Sequence, residues 1–272
     1  MKKGISVWAY DPKRPLPEVF RRAKEAGFDG VEVAIADDGP ITPASTEADC
    51  QRIVEQAGEA GIALTSLASG LGWKYPIISP TASVRDQAIQ KTRGSLQVAR
   101  YLGLDTLLLV PGTVDPSTPY DVAYRNAQSA LKELAPHAAQ TGVTIGVENV
   151  WNKFLLSPLE MAAFLDEIGS PFVGAYFDVG NVLLTGFPEQ WIGILQSRIK
   201  RVHFKDFKRS VGNHAGFCPL THGDVDWPAV VAALTEIDYA PGGLGDGWVT
   251  AEFFHCEGDI AQIAEGMATI LG

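Results

Sequence analysis

Apolar residues recur along this chain in eight short runs, each followed by a longer segment with apolar residues every three or four positions. The short runs are rich in Val, Ile, Leu, Phe and Tyr and are mostly apolar throughout, which is typical of strands covered on both faces. They predict strands at residues 4–10, 28–35, 62–69, 105–111, 143–149, 173–179, 199–205 and 248–254. The longer segments predict helices at residues 16–26, 45–60, 82–102, 118–141, 157–168, 187–197, 227–237 and 258–271.

Residues at the predicted helix ends support this alternation. Ser157, Pro158 and Glu160 have the order of an N-cap, a first-turn proline and a capping-box acid. Five predicted helices are followed directly by a glycine, as helix C-caps often are: Gly27, Gly61, Gly103, Gly142 and Gly169.

Eight strand–helix repeats over 272 residues predict an α/β fold, a (β/α)8 TIM barrel that forms one domain over residues 1–272. A doubly wound open sheet is the alternative, but it usually has a glycine-rich phosphate turn after the first strand. In this chain the first strand is followed by Asp11-Pro12-Lys13-Arg14-Pro15. The longest irregular segment, residues 207–226, follows the seventh predicted strand, and long loops of this kind are often functional.

Composition narrows the classes of partner. The chain is 46% hydrophobic and 20% charged, which is ordinary for a globular protein, and its net charge of −10 argues against nucleic acid or an anionic membrane as partner. No apolar stretch reaches the length of about 18 residues that a membrane span needs. Cys50, Cys218 and Cys256 show no zinc-site spacing, so we expect reduced thiols and a cytoplasmic protein.

Four predicted strands end with residues of the types that bind metals. Glu148 lies in TIGVEN, Asp178 in VGAYFD, His203 in IKRVHFKD and Glu252 in WVTAEFF. Each has an ordinary interpretation by itself: a surface ion pair for the glutamates, a helix cap for the aspartate, a core group for the histidine. Because the C-terminal ends of barrel strands meet on one face, we expect the four side chains to converge. Three carboxylates and an imidazole suit one divalent ion, Mn²⁺ first and Mg²⁺, Co²⁺ or Fe²⁺ as alternatives.

The segments GVENVWNKF, YFDVGN, RVHFKD, GDVDW and AEFF resemble those of the xylose isomerase-like TIM barrels, within the sugar phosphate isomerase/epimerase superfamily. The resemblance covers almost the whole chain and is densest from Gly146 to Arg209. Within this superfamily, the chain is most similar to the ketose 3-epimerases and the ketopentose 5-phosphate 3-epimerases. The resemblance implies that Glu148, Asp178, His203 and Glu252 hold one divalent metal ion, and that Glu148 and Glu252 are the catalytic acid/base pair.

The chemistry implied by this resemblance is inversion at C3 of a small ketose or ketose phosphate through a metal-stabilised cis-enediolate. One carboxylate removes the C3 proton and the other returns a proton to the opposite face. Aldose–ketose isomerisation, or dehydratase or lyase chemistry on a keto-sugar or inositol, begins with the same proton abstraction and is the alternative. Repair of abasic DNA and a non-catalytic binding role are weaker alternatives, because the chain is acidic, has only five histidines and keeps all four ligand types.

Six further residues are candidate substrate contacts: Trp8, Glu32, Asn181, Lys205, Arg209 and His222. Arg209 matches an arginine that the epimerases place near the substrate, or is part of a solvated basic run, Lys205-Lys208-Arg209. Trp8 could stack on a sugar face or be an aromatic residue of the barrel core. Lys205 could bind a substrate oxygen or phosphate, or pair with Asp206, and Glu32 could equally be a buried salt-bridge partner. His255 is a weaker candidate, whereas His137 and His214 are expected on the surface.

Two positions depart from the epimerases of free ketohexoses. Asn181 stands where those enzymes have a substrate-contacting histidine, and Leu155 follows the NKF segment where they have a glutamate nearby. Both departures disfavour a free ketohexose as substrate and leave the metal and acid/base residues unchanged. The family resemblance also suggests a homodimer or homotetramer, although the sequence shows no signature of an interface.

Overall fold

Eight parallel strands close into a barrel in this computed structural model, which describes the backbone of residues 1–272 and every side chain except that of Glu257. The order around the barrel is β1-β10-β7-β6-β5-β4-β3-β2. The barrel strands are β1 (Lys2–Ser6), β2 (Gly30–Ile35), β3 (Ala63–Ser69), β4 (Thr106–Leu109), β5 (Thr144–Glu148), β6 (Val173–Asp178), β7 (Ile199–Phe204) and β10 (Trp248–Ala251). The predicted TIM barrel is therefore confirmed.

Helices follow the strands as the sequence pattern predicts. They are α1 (Leu16–Glu25), α2 (Glu47–Glu59), α3 (Leu71–Lys74), α4 (Ala82–Tyr101), α5 (Tyr120–Thr141), α6 (Pro158–Ile168), α7 (Val179–Val182), α8 (Pro188–Leu195), α9 (Trp227–Glu236) and α10 (Ile260–Leu271). The one-turn helices α3 and α7 are absent from the prediction, because four residues are too few to show a helical period. Over the described residues, none of these helices combines the length and apolarity required to cross a bilayer.

Two predicted segments differ from the structure. The first strand ends at Ser6 instead of residue 10. Trp8 lies in a 3₁₀ turn, Val7–Ala9, and its N–H donates a hydrogen bond to the Ser6 hydroxyl. The segment 207–226 is not wholly irregular, since β8 (Asp206–Phe207) and β9 (Phe217–Cys218) form an antiparallel pair beside the barrel. Strands of two residues are too short to give an alternating pattern.

Contacts within the chain divide it into two compact units. The first comprises Met1–Glu32, Glu55–Thr65 and Phe177–Gly272, and its core includes the packed rings of Phe204 and Trp227. The second comprises Val33–Val54 and Ser66–Tyr176, and its core includes a cluster of Leu108, Val110 and Tyr176. The predicted single domain stays a prediction.

The turn after β6 depends on a glycine. A Cβ at Gly180, in α7, would lie 2.6 Å from the carbonyl oxygen of Lys205, so the backbones of α7 and of the residue after β7 pass in direct contact. Gly193, in α8, is exposed and has no heavy atom within 4 Å of the same ideal position. Gly180 is thus a helical glycine that packing requires, whereas Gly193 is one that packing does not require.

We expect Gly180→Ala to lower the free energy of unfolding by about 1–3 kcal/mol, since backbone must move to admit the methyl group. Gly193→Ala, the matched control, should leave stability unchanged or raise it by up to about 1 kcal/mol, as alanine favours a helix. Urea denaturation followed by circular dichroism measures both, and equal stability of the two variants would contradict the packing argument.

Asp37, just after β2, ties the neighbouring helices together. Its carboxylate accepts hydrogen bonds from Lys74 of α3 at 2.5 Å, from Lys91 of α4 at 2.6 Å and from the hydroxyl of Tyr75 at 2.7 Å. The bond from the Lys74 ammonium, with that from Lys91, holds the pKa of Asp37 well below its usual range. A depressed carboxyl pKa stabilises the folded state above the unfolded pKa of about 3.9, and that stabilisation is lost as the pH falls below it.

We therefore expect Asp37→Asn to lower stability at pH 6–7, with the difference from wild type shrinking as the pH falls below about 4. Asp38→Asn, an exposed neighbour, serves as control and should show no such pH dependence. Denaturant midpoints across this range measure the effect. A stability difference for Asp37→Asn that stays constant down to pH 3 would contradict the assignment.

Candidate metal centre

Glu148, Asp178, His203 and Glu252 each offer one ligand atom, and these atoms all lie within 4.8 Å of one another. Glu148 and Asp178 are the last residues of β5 and β6, His203 lies in β7, and Glu252 directly follows β10. The parallel register pairs His203 with Thr250, and the Glu252 N–H donates to the Phe204 carbonyl at 3.1 Å. All four residues are buried, and three carboxylates with one imidazole are a donor set that fits a hard divalent cation.

Glu32 orients the His203 ring. The imidazole Nε2 lies 3.0 Å and 3.2 Å from the two carboxylate oxygens of Glu32, and both side chains are fully buried. The other ring nitrogen, Nδ1, lies 3.9 Å from Asp178 Oδ2 and 3.7 Å from Glu252 Oε1. Metal-binding histidines usually donate their second N–H to a carboxylate in this way, which fixes the tautomer and leaves a lone pair for the ion.

The sequence left two interpretations of Glu32, a substrate contact and a buried salt-bridge partner. Its buried contact with His203 agrees with the second. Its contact with His203 is on the ring nitrogen turned away from the carboxylates of the cluster. A direct substrate contact by Glu32 stays a prediction.

Lys205 places an ammonium beside two of the cluster's carboxylates. Its Nζ lies 3.2 Å from Asp178 Oδ2 and forms an ion pair with Glu252 Oε2. The same nitrogen lies 5.0 Å from the ring centroid of Phe217 and 5.9 Å from that of Phe254, within the range of cation–π attraction. The largely buried Lys205 ammonium therefore balances part of the negative charge of these carboxylates.

Asp178 has two roles that the sequence interpretation treated as alternatives. Its Oδ1 accepts a hydrogen bond from the Asn181 N–H at 2.7 Å and so caps α7, while Oδ2 points to Lys205 and His203. Burial raises the pKa of the Asp178 carboxyl, whereas Lys205 opposes the rise. A second cation beside this carboxylate would favour its ionised form.

The remaining candidate substrate residues occupy different positions. Trp8 stacks on Phe254, with ring centroids 5.5 Å apart, and Asn181 is buried in the turn that Asp178 caps. Arg209 is exposed, donates to Asp224 and lies over the Phe187 ring at 5.3 Å, and His222 is exposed. Their substrate contacts stay predictions.

Asp206 is a structural residue of the site whose role the sequence did not reveal. Its buried carboxylate accepts hydrogen bonds from Trp227 Nε1 at 3.1 Å and from the backbone N–H groups of Phe207, Gly223 and Val225 at 2.8, 3.1 and 3.3 Å. These bonds fasten both ends of the segment 207–226 beside Lys205. The acid in RVHFKD was a visible signal, but its partners lie up to 21 residues away in the chain.

Two curated relatives match nearly the whole chain. L-ribulose-5-phosphate 3-epimerase UlaE of Shigella flexneri is 23% identical over 269 residues, which cover 91% of this chain and 89% of the relative. The protein of the same name from Salmonella paratyphi C is 24% identical over the same length and the same shares. These names support the predicted class of sugar isomerases and epimerases.

Solved structures match the barrel. A D-psicose 3-epimerase structure in the presence of D-fructose has a TM-score of 0.78 at 19% identity, over 100% of this chain and 97% of that chain. A structure of L-ribulose 3-epimerase has a TM-score of 0.78 at 20% identity, over 99% and 95%. At this identity they support the fold alone. The family model described as xylose isomerase-like TIM barrel matches residues 20–271, and the chain therefore belongs to the xylose isomerase-like TIM barrel family.

Proposed function

We propose that this protein is a divalent-metal-dependent epimerase that inverts C3 of a small ketose or ketose phosphate. The observation that carries the proposal is the buried group of Glu148, Asp178, His203 and Glu252, with ligand atoms within 4.8 Å of one another. The epimerase names of the curated relatives support the same chemistry.

Asp178 and His203 would hold the ion chiefly as ligands, and Glu32 fixes the orientation of the His203 imidazole through Nε2. Glu148 and Glu252 would bind the ion and also move protons. A divalent ion, with Mn²⁺ as the first choice, would supply a Lewis acid for the carbonyl and hydroxyl oxygens of a ketose.

The two glutamates transfer the proton at C3. β5 and β10 are separated by β6 and β7 in the barrel order, so their carboxylates can approach a substrate from two sides. One carboxylate takes the C3 proton, which leaves a planar cis-enediolate, and the other delivers a proton to the opposite face. Lys205 stands beside Glu252 and can donate a hydrogen bond to a substrate oxygen, and burial of the site excludes water from the intermediate.

Metal affinity tests the role of Glu32. We expect Mn²⁺ to raise the melting temperature of the wild-type protein, as any ligand specific for the folded state does. Glu32→Gln should weaken Mn²⁺ binding by about 10–100-fold because it removes the acceptor that orients His203, and His203→Gln should weaken it further. Titration calorimetry and thermal shift measure both variants.

His137→Gln, a histidine change on α5 away from the cluster, is the control and should bind Mn²⁺ like the wild type. Unchanged Mn²⁺ affinity in Glu32→Gln, with a raised KM for the sugar, would instead make Glu32 a substrate contact. Absence of any Mn²⁺ or Co²⁺ binding by the wild type would refute the metal centre.

Isotope exchange tests the two-glutamate reaction. Incubation with D- and L-ribulose, D- and L-xylulose and their 5-phosphates in D₂O with Mn²⁺ should give C3 epimers that carry deuterium at C3. Glu148→Gln and Glu252→Gln should each slow epimerisation by at least about 100-fold, since each removes one of the two proton-transfer groups. Nuclear magnetic resonance of the products follows position and configuration.

Glu236→Gln, an exposed change at the end of α9, is the matched control and should keep full activity. Deuterium at C1 or C2 of an aldose product would indicate isomerisation, and loss of a leaving group would indicate a dehydratase or lyase. No exchange with any ketose of the panel would refute the proposed function.

A further inference from the structure

A cavity of about 420 Å³ lies next to the metal centre and is bordered by Lys205 and Glu252. Its wall comes from the segment 207–226 on one side and from the residues between β10 and α10 on the other. Pockets for small molecules usually have volumes of about 300–1,000 Å³. The cavity is therefore large enough for a substrate group beyond the carbons that react.

The chemical character of the wall is largely apolar. The rings of Phe217, Phe253 and Phe254, the aliphatic side chains of Pro219 and Ile263, and the thiols of Cys218 and Cys256 supply most of the surface. Burial raises the pKa of the thiols of both Cys218 and Cys256 to about 11, so both are neutral at physiological pH. Aromatic faces beside a few polar groups suit an uncharged ligand with an apolar face.

The charges at the cavity disfavour a phosphate. Among the described side chains that line it, Lys205 is the only lysine or arginine, and its ammonium contacts the carboxylates of Asp178 and Glu252. Glu252 and Asp259 contribute negative charge to the same wall. The divalent ion of the proposed metal centre would be balanced by the carboxylates that hold it. Beyond that ion, a phosphate dianion in the cavity would meet one ammonium already paired with two carboxylates, and the carboxylate of Asp259, which is unfavourable in a partly buried site.

Two nearby features that could favour an anion do not favour one at this cavity. The N-terminus of α10 borders the cavity, but its N-cap residue is Asp259, which places a carboxylate at that end. Arg209, in the basic run after β7, does not line the cavity and instead contacts Asp224 and the Phe187 ring. Lys205 is therefore the only residue of the basic run Lys205-Lys208-Arg209 that lines the cavity.

We propose that the substrate is a non-phosphorylated keto-sugar that carries an uncharged group with an apolar face at the end remote from C3. This group, such as a second sugar ring or an aryl group, binds in the cavity. Phe254 is the main stacking surface for that group, because the residue is 58% exposed at the cavity. Stacking on Trp8 holds its ring in place. This inference rests on the proposed function for its reaction, and on the cavity for its choice of substrate.

Thiol protection tests occupancy without turnover. N-ethylmaleimide at pH 8.5, read by site-resolved mass spectrometry, should label Cys218 and Cys256, with buried Cys50 as the unlabelled reference. 4-Nitrophenyl β-D-glucopyranoside should slow labelling of both thiols, whereas inorganic phosphate and ribose 5-phosphate should not. Protection by the phosphates and not by the glycoside would overturn the inference.

Phe254→Ala should weaken protection by the glycoside about three- to tenfold, because an aromatic contact of this kind contributes roughly 0.5–1.5 kcal/mol. Trp73→Ala, a change at a similarly exposed ring in α3 outside the cavity, is the matched control and should leave protection unchanged. An equal effect of both variants would refute the role of Phe254.

Activity separates this inference from the proposed function. With Mn²⁺, kcat/KM for a free ketose, or for the same ketose with an uncharged sugar ring attached to its terminal hydroxyl, should exceed kcat/KM for the matching 5-phosphate by at least tenfold. Gln262→Lys adds an ammonium to the cavity wall and should raise kcat/KM for the phosphate relative to that for the uncharged substrate. A preference for the phosphate would overturn the inference and leave the epimerase proposal standing, whereas protection without any C3 exchange would refute the epimerase proposal alone.

Discussion

Negative charge buried at the end of the barrel is the constraint on which the site depends. The carboxylates of Glu32, Glu148, Asp178 and Glu252 are buried within it, and the Lys205 ammonium contacts two of them. Four acids beside one ammonium and an imidazole are costly in a medium that solvates charge poorly. Protons or an added cation would reduce this imbalance, and the proposed divalent ion would contribute two positive charges. Burial raises the pKa of Asp178, which favours the protonated form of this carboxyl and lowers the buried negative charge.

The same constraint explains why the neighbouring residues are held so firmly. Glu32 uses both carboxylate oxygens on one imidazole nitrogen, Asp178 divides its two oxygens between a helix cap and the cluster, and Gly180 admits the Lys205 backbone. Preorganised ligands avoid the cost of moving charge when an ion or substrate binds. The barrel supplies the rigid frame because each ligand lies on or directly after a hydrogen-bonded strand.

Much of this architecture could be predicted from the sequence, for a physical reason. Strands buried on both faces are apolar throughout, so an acid or a histidine at the end of one is conspicuous, and parallel strands bring such ends to one face. The predicted end of the first strand was wrong, because apolar residues continue past Ser6 into the turn that contains Trp8. The prediction also missed the hairpin β8–β9, whose strands have two residues each. The contact of Glu32 with His203, 171 residues apart, and three of the four bonds of Asp206 depend on tertiary neighbours that no local pattern encodes.

The carboxylate of Asp206 has a consequence for how related barrels diversify. Because it ties Phe207 at one end and Gly223, Val225 and Trp227 at the other, the segment between them is anchored by a single side chain at the end of β7. Residues between these anchored positions, Phe217, Cys218 and Pro219 among them, line the cavity beside Lys205. We therefore expect that an exchange of residues 208–222 that keeps Asp206 would change the cavity wall and leave the four residues at the strand ends in place.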